Sequence, residues 1–191
     1  MKRISIFASG SGSNAENIVR YFSGSDEVEC ALILSNRTDA KVLDRAKRLG
    51  VPSMVFNRQE FYHSDIILER LLETGTDLIV LAGFLWLVPE NLLRTFKNRI
   101  INIHPALLPK YGGKGMYGMK VHEAVKKSGD EVSGISIHFV NERYDEGEII
   151  FQAECPVEQG DTPESIAEKV HKLEYRYYPK VIEKLLNEEG V

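Results

Sequence analysis

Asn102 and His104 stand two residues apart in the segment Ile101-Asn102-Ile103-His104-Pro105. Alternate side chains of a strand share a face, so this spacing aims an amide and an imidazole the same way. An asparagine N–H can donate to a carbonyl oxygen that is becoming an oxyanion, and an imidazole can gain or lose a proton near neutral pH. Pro105 holds His104 toward extended backbone and so helps to fix where the ring points. Proton transfer also needs an acid. Asp145 lies in the polar segment Asn141 to Gly147, but Glu142, Glu146 and Glu148 are close rivals. The plainer reading of His104 alone is a satisfied structural histidine. Its pairing with Asn102 at a strand end argues against that. His63, His122, His138 and His171 have weaker claims: His138 reads as a strand residue, and His122 has no second ligand at a metal-binding spacing. The chain has no Gly-x-Ser-x-Gly, His-Glu-x-x-His, Walker A or clustered-cysteine pattern, so serine-hydrolase, zinc and nucleoside-triphosphate chemistry lack their signatures.

A second signal is Ser9-Gly10-Ser11-Gly12-Ser13-Asn14, placed between a strand-like and a helical stretch. Such a turn brings backbone N–H groups to an anion at a helix N-terminus. A dinucleotide site normally adds an acid after the second strand. Here that run ends Leu34-Ser35-Asn36-Arg37, and the first acid is Asp39, in the following loop. A monophosphate therefore fits better, with Gly12, Ser13 and Asn14 as its contacts and Ser13 or Asn14 capping the helix. A dinucleotide site and a purely structural turn are the alternatives.

The elements that must position these residues alternate. Ile4 to Ala8, Cys30 to Ser35, Met54 to Phe56, Asp77 to Gly83 and Arg99 to His104 read as strands. Helical periodicity separates them, with Ile18, Val19 and Phe22 in the first helix, Ala40 to Leu49 in the second, one helix over Glu60 to Glu73 burying Ile66, Ile67, Leu71 and Leu72, and one opened by Pro89. The continuous apolar run at 77–83 suits a central parallel strand covered on both faces. After Pro105 comes a glycine-rich loop, Lys110 to Gly118, then a helix over Lys120 to Lys127. Val132 to Val140 and Glu148 to Pro156 read as an antiparallel pair on the sheet edge, and Pro163 to Leu186 as a long closing helix. The expectation is an α/β fold: a doubly wound, mostly parallel sheet with helices on both faces, Rossmann-type in its first half.

At 191 residues, one domain over 1–191 is expected, with a phosphate-substrate half at about 1–100 and a catalytic half at about 80–191. The net charge of −4 argues against a broad nucleic-acid surface but leaves room for a local anion pocket. Cys30 and Cys155 read as buried free thiols, which suits a reducing compartment. The longest apolar run, Leu78 to Val88, is too short to span a bilayer, and no signal-peptide layout opens the chain. A cytoplasmic monomer or homodimer is expected, with neither membrane nor nucleic-acid partner.

Ser9-Gly-Ser-Gly-Ser-Asn14, Leu81-Ala-Gly-Phe84, Asn102-Ile-His-Pro-Ala-Leu-Leu-Pro109 and His138-Phe-Val…Asp145-Glu-Gly147 together resemble the folate-dependent phosphoribosylglycinamide formyltransferases, over nearly the whole chain. The resemblance implies transfer of a formyl group from 10-formyltetrahydrofolate to the amine of 5′-phosphoribosylglycinamide in purine biosynthesis, with no metal required. It implies catalytic roles for Asn102, His104 and Asp145. Folate contacts would come from Phe84, Leu85, Trp86, Leu87, Val88, Val140, Asn141, Glu142, Arg143 and Tyr144, together with Asn102 and Asp145. Gly12, Ser13, Asn14, Pro105 and Glu174 would hold the phosphorylated substrate. Two features depart from the pattern: the loop at 110–119 is longer and lacks a histidine, and Trp86 stands where a basic residue is common. The rival readings are 10-formyltetrahydrofolate hydrolysis and a dinucleotide- or nucleotide-binding module without formyl transfer.

Overall fold

The computed structural model describes residues 1–187, so the last four residues of the expected 1–191 domain lie outside the described residues. Seven strands form one sheet in the order β3-β2-β1-β4-β5-β6-β7. The first five, β1 (Lys2–Phe7), β2 (Val28–Ser35), β3 (Ser53–Val55), β4 (Leu78–Leu81) and β5 (Ile100–His104), pair in parallel. Strands β6 (Val132–Phe139) and β7 (Ile149–Pro156) add an antiparallel pair at the edge, as the sequence pattern suggests. The apolar run at 77–83 becomes β4, buried at every position in the middle of the sheet.

Two-residue periodicity assigns the two faces. Ile4, Ile6, Leu78, Val80, Ile101 and Ile103 join a core with α1 (Ser13–Tyr21), α2 (Lys41–Leu49), α6 (Met119–Ser128) and α7 (Pro163–Asn187). Phe7, Leu32, Leu34, Ile79, Leu81 and Ile100 face α3 (Arg58–Tyr62), α4 (Ile66–Glu73) and α5 (Glu90–Thr95). Asn102 and His104 alternate with Ile101 and Ile103, so they point away from the first core, at the C-terminal end of β5. Open parallel sheets bind ligands at this edge.

Three local expectations need correction. The helix over Glu60 to Glu73 is two helices. Asn57 and Glu60 form a reciprocal capping box that starts α3, and the Ser64 hydroxyl bonds the Glu60 carbonyl as that helix ends. The restart at Ile66 sets a new helical phase: Ile67 and Leu71, four apart, are buried, whereas Ile66 and Leu72 are 45% and 55% exposed. Cys30 is only partly buried, because it lies on β2 near the sheet end; Cys155 is buried as expected, and both thiols are free. The cap of α1 is Gly12 itself, in left-handed conformation, with no side-chain cap bond from Ser13 or Asn14.

Helix α7 ties the ends of the chain together. Pro179 lies within it and has no N–H to offer the Tyr175 carbonyl four residues back. The Asn17 amide of α1 donates to that carbonyl instead, at 2.9 Å. Next to it the fully buried Tyr178 hydroxyl donates to the Leu81 carbonyl at the end of β4 (2.9 Å), with the Ile101 carbonyl of β5 at 3.4 Å. No helix among the described residues is long and apolar enough to cross a membrane.

Tyr178→Phe keeps the packing and removes only the tether, leaving the Leu81 carbonyl without its buried donor. The expected loss is about 1–2 kcal/mol of unfolding free energy. Urea denaturation checks it, and an unchanged midpoint would show the tether to be dispensable.

Candidate active site

The glycine turn is held from three sides. Val42 N–H donates to the Gly10 carbonyl (3.2 Å), Arg45 Nε to the Ser11 carbonyl (2.7 Å), and Ser9 N–H to the Gly83 carbonyl (3.1 Å). Gly12 has φ 71°, and a Cβ there would collide with the Val42 side chain and come within 2.8 Å of its Cα. Glycine is thus required first for the approach of α2, and a substitution at position 12 would disturb this packing together with any anion held by the turn. Helix α1 begins at Ser13, so the amides of its first turn have no intrahelical acceptor and carry the positive end of the helix dipole.

Asn14 is placed differently from the simple phosphate donor expected. Its Nδ2 donates to Glu174 Oε2 at 2.9 Å, and its Oδ1 is buried without a protein partner among the described residues. Glu174 is 5% exposed. Burial raises its pKa, against the opposing pull of the Asn14 bond and of His171, whose Nε2 lies 3.9 Å away.

One cavity of about 520 Å³ runs from this turn to the end of β5. It is lined by Gly12, Ser13, Asn14 and Glu174 at one end and by Asn102, His104, Pro105 and Asp145 at the other. Five residues predicted to hold a phosphorylated substrate thus share a cavity with the three candidates for chemistry. Adjoining it is a small cavity of about 50 Å³ lined by Phe84, Trp86, Leu87, Val88, Val140, Arg143 and Tyr144, which also touches Asn102 and Asp145. Of the remaining folate candidates, Leu85 lines the larger cavity, while Asn141 and Glu142 line neither. Asn141 Oδ1 accepts the Arg143 N–H in a local turn, and Glu142 is exposed. Trp86 packs among Phe56, Phe61 and Tyr62, with the Arg58 guanidinium 5.1 Å from its ring centre.

Among the acids near His104, the fold brings in Asp145. Its Oδ2 lies 3.5 Å from His104 Nδ1 and accepts the Gly113 N–H at 2.9 Å. Glu142, Glu146 and Glu148 are exposed, and Glu146 pairs with Arg143. Asp145 itself adopts φ 57°, a left-handed conformation that aspartate tolerates better than most residues. His104 Nε2 is 2.7 Å from the Tyr111 carbonyl. A carbonyl only accepts, so Nε2 carries the proton and Nδ1 faces the carboxylate.

His138 is the residue that sequence reasoning passed over. It lies opposite Asn102 in the β5–β6 register. Its Nδ1 is 2.8 Å from the Phe139 carbonyl and therefore carries a proton, which leaves Nε2 of the neutral ring to accept the Asn102 amide at 3.1 Å. The same Nε2 is 3.6 Å from Asp145 Oδ1. One Asn102 N–H is thereby committed and the other remains for a ligand. His122 and His171 also line the larger cavity, although neither had strong sequence support. His122 lies on α6 and His171 on α7, helices that pack against each other, and nothing local in the sequence signals that pairing.

Burial sets the electrostatics. It lowers the His104 pKa, while Asp145 and the Tyr111 carbonyl push it back up and His138 lowers it further. For Asp145 burial pushes upward, but the two imidazoles and the Gly113 N–H together hold the carboxyl below its usual range. Among the described residues, no group of three or more His, Cys, Asp or Glu is placed to hold a metal ion. Asp39, the only acid close after β2, forms a bidentate pair with Arg37 and does not line the larger cavity, which disfavours a dinucleotide ribose there.

Residues 2–182 match the family model described as formyl transferase. Phosphoribosylglycinamide formyltransferase of Bacillus subtilis (strain 168) is 37% identical over 191 residues, covering 97% of this chain and 95% of that protein. The chloroplastic phosphoribosylglycinamide formyltransferase of Arabidopsis thaliana is 42% identical over 95% of this chain. The chain spans 64% of that protein's length and 62% of its Vigna unguiculata counterpart. Among solved structures, glycinamide ribonucleotide transformylase 1 from Symbiobacterium toebii superposes with a TM-score of 0.88 at 36% identity, covering 100% of this chain and 92% of that one.

The buried His122 generates a stability prediction. Burial first, then His171 and His104, depress its pKa from 6.5 to about 4. As pH falls through about 6.5 the unfolded chain takes up this proton, while the folded protein does not until about 4. The stabilisation present above that window is therefore lost on acidification across it. The shift corresponds to at most about 3 kcal/mol. Urea midpoints between pH 4 and 7 should fall more steeply for the parent than for His122→Gln; parallel curves would remove His122 as the cause.

Proposed function

The chain belongs to the formyl transferase family, and from that premise we propose that it moves a formyl group from 10-formyltetrahydrofolate to the amine of 5′-phosphoribosylglycinamide, a step of purine biosynthesis. One observation carries the proposal: a helix start whose free amides suit an anion and the set Asn102, His104 and Asp145 face the same cavity. The amides of the Gly12–Asn14 turn and the Ser13 hydroxyl bind the phosphate, and Pro105 lines the same cavity beside His104. Glu174 and the unpartnered Asn14 Oδ1 accept ribose hydroxyls. The small apolar cavity between Trp86, Val88, Val140 and Tyr144 takes the flat heterocycle of the folate, with Phe84, Leu85, Leu87 and Arg143 around it. At about 50 Å³ it must widen first, and the loop carrying Val140, Arg143 and Tyr144, in which Glu142 and Arg143 are exposed, is the part of its wall that yields.

In this reading the amine nitrogen attacks the formyl carbon to give a tetrahedral intermediate, and the bond from that carbon to the folate nitrogen then breaks. The free Asn102 N–H and the His104 imidazolium stabilise the oxygen that gains charge. Asp145 holds the imidazolium and, through water, moves the proton from the attacking amine to the departing nitrogen. Such acyl-type transfer needs no metal and no covalent enzyme intermediate. The unpaired thiols of Cys30 and Cys155 agree with a cytoplasmic enzyme.

Formyl-donor turnover measured with and without 5′-phosphoribosylglycinamide tests the proposal. Turnover that requires the amine supports transfer, and equal turnover without it supports the hydrolase. Asn102→Ala should slow turnover by on the order of a hundredfold, about 3 kcal/mol in the transition state, with ligand affinities changed far less. Near-normal turnover in a folded mutant would remove Asn102 from the chemistry. Asp145→Asn keeps shape and loses charge. Because the carboxylate supports the His104 proton, its removal should move the His104 titration further to acid and reduce turnover by about a hundredfold or more. Rate–pH profiles with NMR titration of His104 read both effects. The role would pass to Glu146 if Glu146→Gln caused those losses and Asp145→Asn did not.

A further inference from the structure

We propose that the turn Tyr111-Gly112-Gly113 is the positioning device of the His104–Asp145 pair, anchored from outside the cavity by the Tyr111 hydroxyl. Consecutive backbone groups of this turn engage both partners: the Tyr111 carbonyl accepts His104 Nε2–H at 2.7 Å, and Gly113 N–H donates to Asp145 Oδ2 at 2.9 Å. Between them, Gly112 packs so closely that a Cβ would come within 2.6 Å of Leu108 Cδ2 and 3.3 Å of the Asp145 Cβ. One short piece of chain thus fixes the ring and the carboxylate relative to each other.

The turn cannot be held by its local conformation alone. Tyr111 has φ 58°, a region that a bulky side chain rarely adopts, so something outside the turn must keep it there. Its side chain supplies that hold. The Tyr111 hydroxyl lies 2.6 Å from Ser128 Oγ at the end of α6 and 2.9 Å from Asp130 Oδ2, and Lys110 Nζ reaches the same carboxylate oxygen at 3.0 Å. None of Ser128, Asp130 and Lys110 lines the larger cavity. Upstream, the buried Ser136 hydroxyl donates to the Ala106 carbonyl and accepts the Leu108 N–H, which fixes where the chain leaves β5 for the turn.

The consequence is a defined tautomer. Held by the Tyr111 carbonyl, neutral His104 keeps its proton on Nε2, so that Nδ1, beside Asp145, is the atom that takes up the second proton when the imidazolium forms. The charged and titratable groups around this ring are Asp145 from the loop after β6, His138 from β6 and His122 from α6. Tyr111 touches no reacting atom; it acts through His104.

The kinetic part rests on the proposed formyl transfer, whereas the tautomer is read in the unliganded protein by 15N NMR of the His104 ring. Tyr111→Phe keeps the carbonyl and the ring and removes only the anchor. The parent should show a single tautomer protonated at Nε2, and Tyr111→Phe a mixture of tautomers. Turnover should fall by about tenfold, with the KM for the phosphorylated amine within about twofold, because a small misplacement of a reacting group harms the chemical step more than binding. The His104 titration should also shift to acid. Gly112→Ala should disturb the same signals at least as strongly without touching the hydroxyl. An Nδ1-protonated parent would overturn the proposal. So would a Tyr111→Phe protein that keeps one tautomer, whether its rate is normal or falls together with its melting temperature. A tautomer lost in Tyr111→Phe, in a parent that transfers no formyl group, would support the positioning role and overturn the reaction instead.

Discussion

Strand β5 is bounded by a parallel neighbour on one side and an antiparallel one on the other, and the register of the antiparallel pairing governs the site. Opposite Asn102 it sets His138; opposite His104 it sets Ser136. The first pairing orients the Asn102 amide. The second holds the chain that leaves β5, since the Ser136 hydroxyl bonds Ala106 and Leu108 and also receives the Gln152 amide from β7. A slip of one residue would put Ile135, Ile137 or Phe139 where these polar side chains stand. The buried core on the opposite face makes such a slip costly, so the apolar residues of β5 and β6 enforce the geometry of the polar ones.

Two imidazoles and one carboxylate then share a space nearly closed to solvent. Each ring gives one nitrogen to a backbone carbonyl, Tyr111 for His104 and Phe139 for His138. Backbone thereby assigns the tautomers, and the second nitrogen of each ring is left facing Asp145. Burial disfavours every charged form here, but the carboxylate accepts the Gly113 N–H and lies beside both rings, and together they hold its carboxyl below the usual range. The negative charge is fixed, and the mobile charge is the proton on His104.

The sheet was legible in the chain because its signals are local. Each parallel strand is a short apolar run, and the alternation with helices dictates the layers. Asn102 and His104 were legible because their spacing matches the strand period. The start of α3 was legible in principle, because Asn57 and Glu60 have capping-box spacing, but the break before α4 was hidden by an apolar pattern that runs on through Ile66 and Ile67. His138 was not legible, because its importance comes from the residue across the sheet, and one strand's sequence carries no register. Asp145 could not be separated from its acidic neighbours, since the difference lies in which carboxylate the left-handed backbone turns inward. Gly12 was read as a ligand contact, although its tightest neighbour is Val42, a packing requirement visible only once α2 is in place.

The bond between Asn14 and Glu174 joins residues 160 positions apart. Closing so long a loop is entropically costly and topologically late, and contacts of this separation form slowly. The anion end of the cavity therefore has no local precursor: the glycine turn can fold with its neighbours, but its acidic wall arrives only when the closing helix docks. A nascent or partly unfolded chain has no use for the ligand. Any molecule that bridges turn and helix binds the finished fold alone, and by mass action its concentration in the cell becomes part of the protein's resistance to unfolding.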